Sequence, residues 1–149
     1  MQALPRDLHA LYIEMWRRLN DNEPIYREDG ARFLNLVLAY KDMTALGHPL
    51  DGLTVALLGL ASDEQLRSKI LQDPNYEFSP NAWVSHYYLM RTPIMTRCAG
   101  LFDVTRIRCG LQEVESADLI HRSAKAFLQN DDCGSRIMRY DQSTYQARV

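Results

Sequence analysis

The 149 residues predict an all-α protein, a compact bundle of six or seven helices. Apolar residues recur at the 3.6-residue spacing of a helix in each periodic segment, and no segment shows the sustained alternation of a strand. Helix-start residues such as Pro5, Ser62 and Ser79 fall at the edges of these segments. We therefore expect one helical domain over residues 1–129, followed by a polar C-terminal tail over residues 130–149.

The first expected helix follows Pro5, ends near Asn20 and carries a single apolar stripe. The stripe consists of Leu8, Leu11, Tyr12, Met15, Trp16 and Leu19. A terminal stripe of this kind either docks on the chain's own core or contacts a partner, as in helix-in-groove complexes. We predict an oligomer interface on this face, since its exposed part would otherwise favour aggregation.

The next helices are shorter and closer together. A second helix is expected over residues 29–44, and residues 50–71 should form a helical pair around Gly59. Ser62 and Gln65 have the spacing of a capping box at the start of the second member. Two short helices around a glycine-containing turn are typical of a helix-turn-helix, although a plain helical hairpin gives the same pattern.

The second half of the chain predicts three further helical segments. Ser79 is the expected N-cap of a helix that kinks or breaks at Pro93. A second segment should follow over residues 94–102. A last helix is expected over residues 111–128, after Cys109 and Gly110.

The charge balance excludes an indiscriminate binder of polyanions. Lys and Arg number 17 against 19 Asp and Glu, giving a net charge of −2. Residues 91–108 nevertheless contain four arginines and one acid, Asp103. Nucleic acid would therefore be contacted through a local patch. The candidate DNA-binding residues are Arg67, Lys69, Arg91, Arg97, Arg106 and Arg108.

Cysteine usage and the absence of targeting segments favour a cytoplasmic protein. Cys98, Cys109 and Cys133 form no C-x-x-C pair, which predicts free thiols. The sequence has no secretory signal and no run of eighteen apolar residues, so no membrane contact is expected. A zinc site built from the three cysteines and His121 is an alternative, but we predict no metal and no cofactor.

Catalytic motifs are scarce. The sequence contains no P-loop, no G-x-S-x-G elbow and no dinucleotide fingerprint. The four histidines lie in unrelated contexts, and no nucleophile–base pair emerges. We therefore predict that the chain is not an enzyme and has no small-molecule substrate.

One family resemblance is visible in the middle of the chain. Leu46-Gly47, Leu50 and Leu53, then Gly59-Leu60-Ala61-Ser62 and Gln65-Leu66-Arg67, resemble the first half of the flagellar master activator chains FlhC and FlhD. Phe78-Ser79, Trp83, Gly110-Leu111, Val114 and Ala117 are similar in order to features of FlhC. The similarity covers about residues 30–128 as scattered positions, and the cysteine-rich zinc-binding region of FlhC has no counterpart here.

The resemblance implies a helical transcriptional regulator subunit, either FlhD-like or a divergent mobile-element activator, rather than a true FlhC. Such a subunit acts in a homo- or hetero-oligomer on promoter DNA and recruits RNA polymerase. A second interpretation is a non-catalytic adaptor or inhibitor that binds another protein. The near-neutral charge and the Trp-, Tyr- and Met-containing helix faces favour this second interpretation.

Overall fold

The computed structural model describes residues 6–20, 23–45, 53–77, 79–98, 100–109 and 111–141. Within these ranges the chain forms seven α-helices and one two-stranded antiparallel sheet. The elements are α1 (Arg6–Asn20), α2 (Pro24–Ala45), α3 (Val55–Ser62), α4 (Glu64–Gln72), α5 (Pro80–Arg97), β1 (Phe102–Cys109), β2 (Gln112–Leu119), α6 (Arg122–Asn130) and α7 (Asp132–Met138). The predicted helical character is confirmed, whereas the sheet corrects the all-α assignment.

Helix α2 lies at the centre of the core. It buries Ala31, Phe33, Leu34 and Val37 almost completely, as expected for a helix that is apolar around much of its circumference. At Gly30, a Cβ atom would lie 2.8 Å from the Arg97 carbonyl oxygen and 3.1 Å from the Trp16 ring. Helices α1, α2 and α5 therefore approach one another so closely at Gly30 that no side chain larger than a hydrogen atom fits there.

The apolar stripe of α1 packs mainly on this core. Tyr12 and Trp16 are buried, and the Tyr12 hydroxyl lies 2.7 Å from the Ser123 Oγ atom on α6. Leu8 and Met15 are partly buried against the same cluster, whereas Leu11 is 50% exposed. The Leu19 side chain lies outside the described part of the structure. The oligomer interface stays a prediction, with Leu11 as its most exposed described residue.

The helical pair around Gly59 is present with shifted boundaries, and its residues 50–52 lie outside the described ranges. Asp63, rather than Ser62, caps α4, because its Oδ1 atom accepts a hydrogen bond from the Leu66 N–H at 3.0 Å. The Ser62 hydroxyl instead donates to the Gly59 carbonyl at 2.7 Å. The predicted N-cap was therefore wrong by one residue, and Leu66 at the third position after Asp63 cannot complete a capping box.

Helix α5 excludes a break at Thr92, before Pro93, whereas the alternative of a kink there stays a prediction. The expected N-cap is confirmed, since the Ser79 Oγ atom accepts from the Ala82 N–H at 3.1 Å. The helix then continues through Pro93 to Arg97. A proline removes one helical hydrogen bond, to the carbonyl four residues earlier. That carbonyl belongs to Leu89, an exposed residue, so solvent can satisfy it.

The helix predicted over residues 111–128 is wrong in its first half. Strand β2 occupies that half and pairs with β1, in a register that runs from Phe102 opposite Leu119 to Cys109 opposite Gln112. An isolated bridge joins Thr54 to Ser116 and continues the sheet toward α3. The sustained alternation of polar and apolar residues that marks a strand is absent from this part of the sequence, because each face of the hairpin carries both charged and apolar residues.

The predicted tail is also corrected. Residues 132–138 form α7, with Ile137 buried, and Asp141 is buried beyond it. The Asn35 amide of α2 donates to an Asp141 carboxylate oxygen at 3.2 Å. The domain therefore extends at least to residue 141, while residues 142–149 lie outside the described structure. None of the described helices combines the length and apolarity required to cross a membrane.

Candidate functional site

An open groove of about 810 Å³ lies between α3, α5 and the β1–β2 hairpin. Leu57 of α3 and Val84 and Tyr88 of α5 line it with exposed apolar surface; Val84 is 55% exposed and Tyr88 is 69% exposed. Val114 of β2 adds a further apolar group on the hairpin side. We call this feature the α3–α5–hairpin groove.

A close helix contact sets the distance between two of its walls. A Cβ atom on Gly59 of α3 would lie 2.9 Å from the Cβ atom of Met90 on α5. Real Cβ atoms essentially never approach so closely, so a glycine is needed for this spacing. The groove opens beside this contact, with Leu57 of α3 and Val84 of α5 among its lining residues.

Backbone hydrogen bonds hold the third wall. The Ala117 N–H donates to the Leu53 carbonyl at 2.9 Å, and the Ser116 hydroxyl donates to the same oxygen at 3.2 Å. Strand β2 is thereby attached to the residues that immediately precede α3. The hairpin and α3 consequently form one continuous surface along the groove.

A tyrosine, a glutamate and an arginine connect the hairpin to α5. The Tyr87 hydroxyl donates to the Glu115 Oε2 atom at 2.5 Å. Arg91 donates from Nε to Oε2 at 2.7 Å and from Nη2 to Oε1 at 3.2 Å. The fork geometry of a guanidinium suits a carboxylate at both oxygens. We call Tyr87, Arg91 and Glu115 the carboxylate cluster.

The carboxylate cluster fixes its own protonation states. The hydrogen bond from Arg91 lowers the pKa of Glu115 against the opposing effect of burial, and Tyr87 and the charge of Arg106 also lower it. Burial raises the pKa of Tyr87, and the neighbouring Glu115 raises it further. Glu115 is therefore an anion whose oxygens are already engaged, which suits attachment of the hairpin better than proton transfer.

The structure does not gather the four arginines of residues 91–108 into one patch. Arg91 is paired with Glu115, and Arg97 forms an ion pair with Asp29 of α2. Arg106 and Arg108 are exposed on β1, opposite Glu115 and Glu113. Since each arginine has an acidic neighbour, the local excess of positive charge in the sequence is largely balanced in space.

The two candidate DNA-binding residues of α4 differ in their surroundings. The Arg67 Nη1 atom donates to the Ala61 carbonyl at 3.1 Å, so this guanidinium supports the junction between α3 and α4. Lys69 is exposed on α4. Of this pair, Lys69 is therefore the more accessible to a phosphate.

Sequence reasoning missed the residues that shape the groove. It identified aromatic helix faces without placing them, and the structure leaves Val84 and Tyr88 of α5 exposed. It also left Glu115 without a partner. The available signal was the breadth of the apolar surface of α5, since a helix with apolar groups on several sides exceeds what one core contact covers.

Comparison with known proteins gives one family match. The model of a family described as a domain of unknown function, DUF7791, matches residues 21–149. The matched segment includes α2 to α7 and the hairpin, and thus every wall of the groove. The comparison found no matching curated protein and no matching solved structure.

Proposed function

The chain belongs to the DUF7791 family, and we propose that it is a non-catalytic protein-binding module whose groove receives an amphipathic helix of a protein partner. The observation that carries the proposal is the convergence of Leu57, Val84 and Tyr88 on one open groove. Contiguous exposed apolar surface of this kind is typical of interaction sites. This is the adaptor interpretation of the sequence.

The spacing on α5 favours a helical partner. Val84 and Tyr88 are four residues apart and form a ridge of the type that packs into the grooves of another helix. Leu57 on α3 provides an apolar contact on the facing wall. A partner helix with apolar residues at matching i and i+4 positions would bury these side chains together.

The polar groups of the groove favour the same conclusion. Small-molecule sites usually present a few convergent polar groups that orient the ligand. Of the polar residues that line this groove, Tyr87 and Glu115 are already hydrogen-bonded to each other, whereas Arg106, Gln112 and Glu113 are exposed on the hairpin. An amphipathic helix would meet these exposed groups with its polar face while its apolar face covers the apolar wall of the groove.

Site-specific photo-crosslinking tests the proposal in cells that normally contain the protein. A photoreactive phenylalanine analogue replaces Tyr88 in the groove or, as a control, Leu71 on α4, which is 77% exposed and does not line the groove. We expect the probe at position 88 to crosslink an amphipathic helical segment that the control position does not reach. Identical products at both positions, or no product at position 88, would contradict a docking role.

A binding titration then tests the identified segment as a synthetic peptide. Leu57→Glu and Val84→Glu place a charge in the groove and should each weaken peptide binding at least tenfold. Leu71→Glu adds the same charge elsewhere and should leave the affinity unchanged. Equal effects of all three substitutions would show that the peptide binds outside the groove.

A second candidate function is the predicted DNA-binding regulator subunit. The exposed pair Arg106 and Arg108 favours it, because both lie on one face of a two-stranded ribbon, an element that the DNA major groove admits. Helices α3 and α4, with the exposed Lys69, supply the candidate helix-turn-helix. DNA binding through phosphates would weaken steeply with salt, whereas apolar helix docking would not.

A further inference from the structure

A separate cluster of three chemically different side chains lies where α1 meets the junction of α6 and α7. His9 of α1, Asp131 before α7 and Cys133 in α7 each offer one ligand atom, and these atoms lie within 4.8 Å of one another. All three residues are partly buried. This cluster differs from the cysteine–histidine set considered from the sequence. That set included His121, whose side chain caps α6 in the structure.

Neighbouring groups hold two of the three ligands in position. The Asp131 Oδ1 atom accepts a hydrogen bond from the Cys133 N–H at 2.8 Å, and its Oδ2 atom lies 2.9 Å from the His9 Nε2 atom. The His9 ring contacts the buried Phe127 ring edge-on, with 5.7 Å between centroids. The carboxylate and the imidazole therefore need little rearrangement to share an ion.

The combination of ligand atoms selects the class of metal. An imidazole nitrogen, a thiolate sulfur and a carboxylate oxygen are the three ligand types that zinc takes in proteins. Calcium and magnesium prefer sets made of oxygen alone. Three protein ligands would leave one tetrahedral position to water.

We propose that His9, Asp131 and Cys133 form a binding site for a zinc-class divalent cation. The ion replaces the direct contact between His9 and Asp131 with one bond to each ligand, while Asp131 Oδ1 continues to cap α7. Cys133 binds as the thiolate and releases its proton to solvent, and the proton that His9 Nε2 shares with Asp131 moves to Nδ1 or to solvent when Nε2 binds the ion. The ion thereby joins α1 to the α6–α7 junction, a role independent of the groove and of its partner.

Cobalt titration of the untagged full chain tests the site. We expect one equivalent of Co²⁺ to produce ligand-field bands and a thiolate-to-cobalt charge-transfer band, both abolished by one equivalent of Zn²⁺. Loss of a group that only hydrogen-bonds to a metal ligand costs about 10–100-fold in metal affinity. His9→Ala and Cys133→Ser remove the ligands themselves, so each should weaken zinc binding by at least about 100-fold. The control Asp132→Asn changes an adjacent exposed acid outside the cluster and should leave the affinity unchanged.

Thiol protection tests the same site in the unmodified chain and so does not depend on the folding of any variant. One equivalent of Zn²⁺ should slow alkylation of Cys133, measured by peptide mass spectrometry, and raise the thermal midpoint of unfolding. The proposal is overturned if zinc leaves Cys133 alkylation unchanged. It is equally overturned if the charge-transfer band persists in Cys133→Ser, because another thiol would then be the ligand.

Discussion

Arg91 of α5 and Glu115 of β2 form a two-pronged ion pair that attaches the hairpin to the helical core. Such pairs combine charge with a fixed geometry, since each carboxylate oxygen accepts a separate N–H group. The Glu115 side chain is 14% exposed, so solvent screens it less than an ordinary surface acid. The attachment of the hairpin to α5 therefore depends in part on the charge of this carboxylate, together with the hydrogen bonds from Ala117 and Ser116 to the Leu53 carbonyl.

This dependence predicts a loss of stability in acid. The Arg91 hydrogen bond lowers the pKa of Glu115 in the folded chain. The ion pair therefore contributes its full stabilisation at pH values above the ordinary pKa range of glutamate. The effect declines as the pH falls through that range toward the lower pKa of the folded state. Urea unfolding across this interval should show a shallower pH dependence for Glu115→Gln than for wild type. Glu64→Gln, at an exposed site on α4, is the control, and parallel curves for wild type and Glu115→Gln would contradict the prediction.

Gly59→Ala should destabilise the protein despite the higher helix propensity of alanine. The added Cβ atom would meet Met90 of α5 at 2.9 Å, and overpacking of this kind costs about 1–3 kcal/mol. The gain in propensity offsets about 1 kcal/mol of that cost. Ser68→Ala, at an exposed position of α4, is the control that adds propensity without a new contact. Denaturant unfolding measures both, and a Gly59→Ala variant as stable as wild type would show that α3 and α5 can separate freely.

Trp16→Ala should lower the free energy of unfolding by about 3–5 kcal/mol, the usual cost of truncating a large buried aromatic residue. Leu11→Glu alters the exposed edge of the same helix and should leave stability unchanged.

If α1 forms an oligomer interface, Leu11→Glu will lower the mass measured by light scattering. An unchanged mass would assign the stripe to the chain's own core.

DNA binding through the hairpin makes a separate prediction. In the double variant Arg106→Ala with Arg108→Ala, affinity should fall about equally on all DNA sequences. The slope of log affinity against log salt should decrease by about one for each lost phosphate contact. Arg97→Ala is a suitable comparison, since Arg97 is paired with Asp29. Unchanged affinity and slope in the double variant would remove the hairpin from any DNA contact.

The cysteines should differ in reactivity. Cys98 is completely buried, and burial raises the pKa of its thiol well above the usual range. Cys133 is only partly buried. Of these two described thiols, and without added metal, alkylation of the native protein should modify Cys133 first and Cys98 only on unfolding. Equal labelling rates in the native protein would contradict the packing of α5 on α2.

The elements that the sequence predicts correctly are those whose signals lie among neighbouring residues. The 3.6-residue period of α1 and the N-cap at Ser79 depend on neighbouring residues, and both predictions are confirmed. The hairpin was missed although Val104, Thr105 and Ile107 favour a strand, because Cys109-Gly110 was interpreted as a helix start, whereas Cys109 ends β1 in the structure. The β-branched cluster was the stronger signal.

The candidate site is harder to predict because it depends on contacts between distant segments. Tyr87 and Glu115 are 28 residues apart, and His9 and Asp131 are farther apart still. Their pairing follows from how α5 meets the hairpin and how α1 meets α7. Likewise, Val84 and Tyr88 resemble core residues in composition, and only the packing of α5 against α3 and the hairpin shows that they are exposed.

The bond between the Ser116 hydroxyl and the Leu53 carbonyl joins positions 63 residues apart. Long-range pairing of this kind slows folding, because the chain entropy of closing the intervening segment is lost before the contact forms. During synthesis, α3 and α5 leave the ribosome well before β2, so the third wall of the groove is completed late. The nascent chain therefore presents Val84 and Tyr88 without the hairpin beside them, and the complete groove forms only after residue 117 has been made.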